Sequence, residues 1–395
     1  MSLNIPEQLS TPQSHPHLAL ALTAALAGVR LTARAAALLA STTLPAGTQP
    51  RAVGVAPNGH VYVANQSSNN VTVIDSATDT VLSTLPAGTR PVAVGVAPNG
   101  RVYVANVVSN NVTVIDSVTN TVMTTLPAGA QPLAVGVAPN GHVYVANQSS
   151  NNVTVIDSVT NTVLSTLPAG TQPAAVGVAP NGRVYVVNRI SNNVTVIDSV
   201  TNTVVTTLPA GTGPLAVGVA PNGHVYVANQ NSNNVTVIDS ATDTVVTTLP
   251  AGTQSIAVGV APNGHVYVAN VVSSNVTVID SATDTVVTTL PAGTQPRAVG
   301  VAPNGHAYVA NQGSNSVTVI DSVTNTVLST LPAGTQPIAV GVAPNGHVYI
   351  ANIGSNNVTV FAPPVLVSIS PAQGVPGGGN TVTLTGTDLD GATSV

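Results

Sequence analysis

The 395-residue chain has charged side chains at only 5% of its positions, no Lys and a net charge of −5, so nucleic acid, which needs a clustered cationic surface, is excluded as a partner. The absence of Cys removes disulfides, thiolate nucleophiles and Cys-based zinc sites together. Trp is also absent, and the eight Tyr all fall at one position of a repeat, which leaves no separate aromatic platform for stacking bases or sugars.

Residues 1–16 are polar and contain Pro6, Pro12 and Pro16, the composition of a disordered start. From His17 to Ala40 the chain is rich in Ala and Leu, and Leu18 to Val29 forms an apolar run of twelve residues, too short to span a bilayer. No membrane span is therefore expected. The run has the length of a signal-peptide core, and Ala25-Leu26-Ala27 offers a small-x-small cleavage pattern that would start the exported protein near Gly28. Glu7 and the lack of Lys or Arg ahead of the run are wrong for a signal. Two readings of residues 1–36 stand, an export leader and an Ala-rich helix packed on or beside the body of the chain.

From Ala52 a unit of 41 residues recurs almost without drift, with Asp75, Asp116, Asp157, Asp198, Asp239, Asp280 and Asp321 in register and Ala362 where the pattern stops. Within the first unit, Ala52–Ala56 alternates bulky and small residues as an inner strand does, and His60–Asn65 is apolar enough to be covered on both faces. Val71–Asp75 and Thr80–Leu85 are β-branched and progressively more polar, as outer strands are. Ala56-Pro57-Asn58-Gly59 predicts a tight hairpin, with Pro at its second position and Gly where φ is positive. Asp75-Ser76-Ala77-Thr78-Asp79 predicts an Asx-type turn.

Leu39–Leu44 matches the fourth strand of a unit but precedes the first complete one, whereas the last unit ends at Phe361 without a fourth strand. Eight PNG turns, at Asn58, Asn99, Asn140, Asn181, Asn222, Asn263, Asn304 and Asn345, and eight LPAG segments give matching counts. The sequence thus predicts an all-β, eight-bladed β-propeller over residues 37–361, built of four-stranded antiparallel blades and closed by the N-terminal strand. A ring closed in this way leaves no edge for association and is expected to be monomeric.

Tyr62-Val63-Ala64-Asn65 and its copies, followed by NNVTVID and TLPAG, resemble the YVTN repeats of β-propellers from prokaryotic surface-layer and exported proteins. The resemblance implies an extracellular, cell-surface or periplasmic location. It departs at Ala64, where the family motif has Thr. Residues 362–395 change character. Ile369-Ser370-Pro371, Gly377–Gly379 and Thr381–Gly386 resemble the first strands of an IPT/TIG domain, an immunoglobulin-like module common in large surface proteins. The resemblance covers a fraction of the roughly 100 residues of an immunoglobulin-type sandwich, so a shortened domain or a remnant is expected.

Comparing the units with one another yields the candidate sites. The residue after each PNG turn is His60, Arg101, His142, Arg183, His224, His265, His306 or His347. A metal-binding rim is disfavoured, because neighbouring blades stand about 10 Å apart whereas Zn–N bonds span about 2 Å. These side chains are expected to flank solvent-facing hairpins. Asp75-x-x-x-Asp79 lacks the ligand alternation of a calcium loop and reads as turn capping. The Asn-Val-Thr triplets read as the starts of strands rather than glycosylation sites. Eight near-identical units offer no asymmetric acid, base and nucleophile, so no catalytic residue, cofactor or metal is assigned.

Variation concentrates instead at Gln66/Val107/Gln148/Arg189/Gln230/Val271/Gln312/Ile353 with their next neighbours, and at Arg51/Val92/Leu133/Ala174/Leu215/Ile256/Arg297/Ile338. By meander logic both families of loops share one face, opposite the PNG turns. Arg51, Gln66, Val107, Arg189, Ile190, Gln230, Val271, Arg297 and Ile353 are the binding-face candidates. The expected function is a non-catalytic surface scaffold that binds a protein or cell-surface polymer through this face. The alternative is an enzyme-associated propeller, lyase-like or redox-protein-like, whose chemistry lies outside this chain.

Overall fold

A computed structural model of the protein describes residues 40–362 and four further strand segments, Leu20–Thr23, Thr32–Ala35, Val365–Ser370 and Thr383–Thr387. Every described element is a strand. The first unit folds as Pro50–Val55, His60–Asn65, Asn70–Asp75 and Thr80–Pro86, hydrogen-bonded in that order as an antiparallel sheet. Six more units repeat it, which confirms the blade pattern that the sequence predicts. The eighth sheet has the order Ala40–Pro45, Asn357–Ala362, Val348–Asn352, Pro337–Val342, so the N-terminal strand supplies the missing outer strand.

The local chemistry of the unit explains each turn. Gly59 takes φ +88°, open to Gly at little steric cost, and its N–H donates to the Ala56 carbonyl at 2.9 Å. In the turn between the third and fourth strands, Asp75 Oδ1 accepts the Ala77 N–H at 2.9 Å, and Asp79 adopts φ 51°, a left-handed geometry that Asp and Asn tolerate. Two register shifts recur in the blades: one leaves Arg51 and its copies as the extra residue of the first strand, the other does the same for Leu82 and its copies in the fourth. Such bulges twist the strand and re-aim the extra side chain.

Blades pack face to face around the ring formed by their first strands. The second strand is covered on both sides: Tyr62 and Ala64 of one blade join Val102, Val104 and Ile115 of the next in a single apolar cluster. Burying each Val or Ile in this way stabilises by about 1.5–3 kcal/mol. Near the axis the fit is tightest, since a Cβ added to Gly54 would lie 2.4 Å from Val94 Cγ1 of the next blade. The same contact closes the circle, with Gly341 of the eighth blade facing Val53 of the first.

Tyrosine adds a polar lock. Tyr62 donates its hydroxyl to Asn120 Oδ1 of the following blade at 2.6 Å, Tyr103 to Asn161 at 2.7 Å, and Tyr185 to Asp243 at 2.8 Å. Tyr144, Tyr226, Tyr267 and Tyr349 make the same bond. Tyr308 lacks it, because this residue faces the eighth blade, where Phe361 and Ala362 stand in place of the Asp-containing turn.

Thr43–Val360 form one compact unit and the two chain ends, Met1–Thr42 with Phe361–Val395, a second. In the latter, Leu20–Thr23 pairs antiparallel with Thr32–Ala35, and Val365–Ser370 pairs with Thr383–Thr387. These strands replace helix in the Ala-rich reading of the leader. Leu20-Ala21-Leu22-Thr23 alternates with period two, and antiparallel pairing satisfies its backbone without a helix. The cleavage pattern at Ala25–Ala27 and the polar start lie outside the described residues.

Deleting residues 1–45 removes the outer strand of the eighth blade and should lower the melting temperature or produce oligomers in sedimentation. An unchanged, monomeric protein would refute closure by that strand. Gly136→Ala places a methyl against Val176, where an added Cβ would lie 2.4 Å from Cγ1, and should cost about 1–3 kcal/mol in denaturant unfolding, whereas Thr121→Ala, at an exposed position, should cost little. Burial raises all eight tyrosines above the ordinary value of 10.0, Tyr308 to about 12 and the others further. A raised folded value means that their contribution to stability is complete below pH 10 and is lost as pH climbs toward the folded values. Tyrosinate absorbance should therefore appear together with loss of the β signal in circular dichroism; tyrosinate in an intact fold would contradict it.

Candidate functional site

The two ends of the ring differ in how their side chains are used. At one end the PNG turns meet the turns between third and fourth strands. Asn58 Nδ2 donates to the Ser117 carbonyl of the next blade at 2.7 Å, and Asn345 closes the circle by donating to Ser76. Most residues after the PNG turns join this lock rather than simply flanking solvent-facing hairpins, whereas Arg101 pairs with Asp116 of its own blade at 3.2 Å. His60 Nδ1 lies 3.2 Å from Asn120 Oδ1, His224 pairs with Asp284 at 2.9 Å, His347 with Asp79 at 3.0 Å, and Arg183 Nε with Asp243 at 3.0 Å. Sequence reasoning placed these residues on the correct rim but missed their partners, which belong to the following blade. Among the described residues, no three His, Asp or Glu side chains converge as a metal group would require.

The acids here are structural in use. Asp157 is held below its ordinary value by the Val159 backbone N–H, and Asp198 by the Thr201 and Val200 N–H groups with Arg183. Both effects stabilise the turn in its ionised form.

At the opposite end the two variable loop families meet, as strand order predicts. Gln66 N–H donates to the Gln49 carbonyl at 2.9 Å, and Ser67 N–H to Thr48 at 3.0 Å. Seven of the eight linkers are also tied to the preceding blade by a loop Asn, as Arg90 N–H donates to Asn69 Oδ1 and Gln49 N–H to Asn356 Oδ1, at 2.9 and 2.8 Å. Beneath the loops, Asn65 Nδ2 donates to Asn70 Oδ1 and Thr72 Oγ1 at 2.8 and 2.9 Å. In the sixth blade the Oδ1 of the corresponding Asn270 gains a side-chain donor, Ser255 Oγ at 2.8 Å, where other blades carry Pro.

The candidates do not all reach the surface. Arg51 and Arg297 are exposed, each as the bulged residue of a first strand. Gln66, Val107, Arg189, Gln230 and Ile353 are half-buried, and Val271 is 7% exposed, so Val271 is packing rather than binding surface. The exposed apolar residues are instead Val108, Ile190 and Val272, at 51, 56 and 59%. Exposed apolar side chains are not confined to this face, since Val118, Val159, Val200 and Val323 of the opposite turns are 71–80% exposed. That corrects the expectation drawn from unit-to-unit variation alone. What distinguishes the loop face is its arginines. Arg189 Nη2 donates to Gln230 Oε1 at 3.3 Å, and Arg297 Nε to Gln312 Oε1 at 2.7 Å. Gln66, with its amide oxygen turned toward Arg90, accepts from Nη2 at 2.7 Å.

Sequence reasoning omitted Arg90. It stands where other linkers carry Gln or Gly213, and comparing that position across units would have found it.

The chain matches the virginiamycin B lyase family over residues 86–361, well over half its length, and belongs to that family. Residues 364–395 match the IPT/TIG domain, in line with the resemblance read from the tail. No curated protein matches the chain. Among solved structures, the hydrazine synthase of Kuenenia stuttgartiensis is similar over 71% of this chain and 96% of its own, at 23% identity and a TM-score of 0.58. The computationally designed Ika8 protein is similar over 81% of this chain and 98% of its own, at 16% identity and a TM-score of 0.69. At these identities the likeness is one of fold.

Proposed function

We propose that this protein is a non-catalytic, monomeric propeller scaffold of the YVTN type, placed outside the cytoplasm or on the cell surface, that binds a protein or polymer partner through the face built from the loops after second and fourth strands. One contrast carries the reading. On the PNG end most of the His and Asn side chains, Arg183 and seven of the eight Tyr are spent on inter-blade bonds, whereas on the loop end the side chains differ from blade to blade and Arg90, Arg189 and Arg297 bond to Gln rather than to a carboxylate. Interfaces favour apolar anchors beside Arg, and several weak contacts around a rim can act together. The IPT/TIG segment and the resemblance to surface-layer repeats support the location.

Membership of a family named for a lyase favours a second reading, in which the propeller serves catalysis. Incubation of the full chain with virginiamycin B, followed by mass spectrometry, tests it, and a turnover product would replace the scaffold reading.

Partner capture by the full chain from a surface extract tests the binding face. Arg189→Ser with Ile190→Ser should reduce capture several-fold. Val118→Ser with Val159→Ser, exposed on the opposite end, should not. His142 and Arg183 are unsuitable controls because they take part in the inter-blade lock. Loss of capture on the Val changes alone would assign the wrong face.

A further inference from the structure

The ring is electrically polarised. All ten Asp of the propeller lie in or beside the turns between third and fourth strands, at the PNG end, where Arg101 and Arg183 are ion-paired. The loop end has Arg51, Arg90, Arg189 and Arg297 and, among the described residues, no carboxylate. Arg90, Arg189 and Arg297 donate to neutral glutamines, which satisfy hydrogen bonds without cancelling charge.

Three of these arginines occupy one arc. Arg297 sits on the first strand of the seventh blade, Arg51 on that of the first, and Ile338 of the eighth lies between them, all three as bulged residues at the same end of the innermost strands. Arg90 follows in the linker out of the first blade. The guanidinium of Arg51 is held below its ordinary value first by desolvation and then by the charges of Arg90 and Arg297. A folded chain that keeps like charges together without a counter-charge loses stability by doing so, which is the common signature of a site kept for a ligand.

The surroundings narrow the chemistry of that ligand. Val92, Leu133, Ala174, Leu215 and Ile256 complete the same ring, the first four half-buried and Ile256 packed into the core at 9% exposed, so the arc of charge borders an apolar arc. All eight Tyr are 0% exposed and Phe361 is 1% exposed, which leaves no Tyr or Phe ring face among the described residues on which a sugar or base could stack. The Asp residues at the far end of a second copy are engaged in their own turns and inter-blade pairs, as Asp75 is with Ala77 and Asp79 with His347.

We propose that this end of the first-strand ring docks an acidic segment of a partner polypeptide, its carboxylates taken by Arg51, Arg90 and Arg297 and its apolar side chains by Ile338 and the adjoining ring. The inference rests on the loop face being the binding face, and it names what that face accepts.

The probe is a fluorescein-labelled peptide alternating Glu and Leu, with a Gln and Leu peptide as its uncharged twin, titrated into the full chain by anisotropy. The Glu peptide should bind, weaken steeply with added salt, and lose roughly tenfold or more in affinity to Arg51→Gln with Arg297→Gln. The double variant should melt no lower than the wild type, because it removes repulsion, and Arg101→Gln at the other end should leave binding unchanged. Equal binding of the Gln peptide, or binding indifferent to the Arg51 and Arg297 changes, overturns the proposal while leaving the loop face intact. Preference for a sulfated glycan or for anionic lipid vesicles over the Glu peptide overturns the polypeptide assignment. Concentration-dependent self-association abolished by the same double variant would make a second copy the occupant and equally overturn it. Failure of the loop-face reading itself would appear separately, as partner capture insensitive to Arg189 and Ile190.

Discussion

The ring depends on one contact repeated eight times, the seating of a Val side chain over a Gly in the inner strand of the preceding blade. With a Cβ of Gly54 falling 2.4 Å from Val94 Cγ1, no side chain can stand at that Gly without moving the neighbouring strand. The approach sets the spacing of first strands, hence the angle between blades, and an eightfold ring closes because the same spacing is met between Gly341 and Val53. Farther out, the wedge between blades widens and is filled by larger groups, the Tyr, Val and Ile clusters that hold each pair of sheets. The gradation from Gly to Tyr along a blade is a packing solution to the geometry of sectors around an axis.

Much of this was legible in the sequence because its cause is local. The four strands, the PNG turn and the Asp-capped turn each follow from a few adjacent residues, and the unpaired strand at Ala40–Pro45 follows from counting. The rest involves partners roughly one and a half units away. Nothing near Tyr62 or His60 reveals Asn120, since the bond is created by the closure of the ring. For the same reason the His and Arg residues after the PNG turns read as solvent-facing. The bulge at Arg51 was also hidden: it shifts register by one residue, and Val53 and Val55 alternate the same way with or without it. At the loop end, variation pointed to the correct face but not to the correct atoms, because burial of Val271 and exposure of Val272 depend on how one loop bends.

The two ends of the ring face opposite constraints. At the PNG end each blade supplies a donor and an acceptor to its neighbours, so a change in one unit must suit the next. Where Asp replaces Asn at the receiving position, as at Asp243 and Asp284, Arg183 or His224 of the preceding blade pairs with it. The substitution turns a neutral hydrogen bond into a charge-assisted one. An amide accepts the Tyr hydroxyl equally well, so both forms keep the lock and the repeat tolerates the exchange.

At the loop end the lock is made largely by backbone groups and by the Asn of the loop, as in the bonds from Gln49 and Arg90 to Asn356 and Asn69. The side chains at the variable positions are thereby released from holding blades together. The linker residue before each first strand shows the consequence: its backbone is fixed in a left-handed geometry, φ 56° at Gln49 and 60° at Arg90, while its side chain varies from Gln to Arg to Gly213. A rigid backbone presenting interchangeable side chains is the arrangement on which selective binding can be built without cost to the ring. The polarity of charge along the axis follows from the same division, since carboxylates are useful where turns need capping and arginines accumulate where nothing structural opposes them.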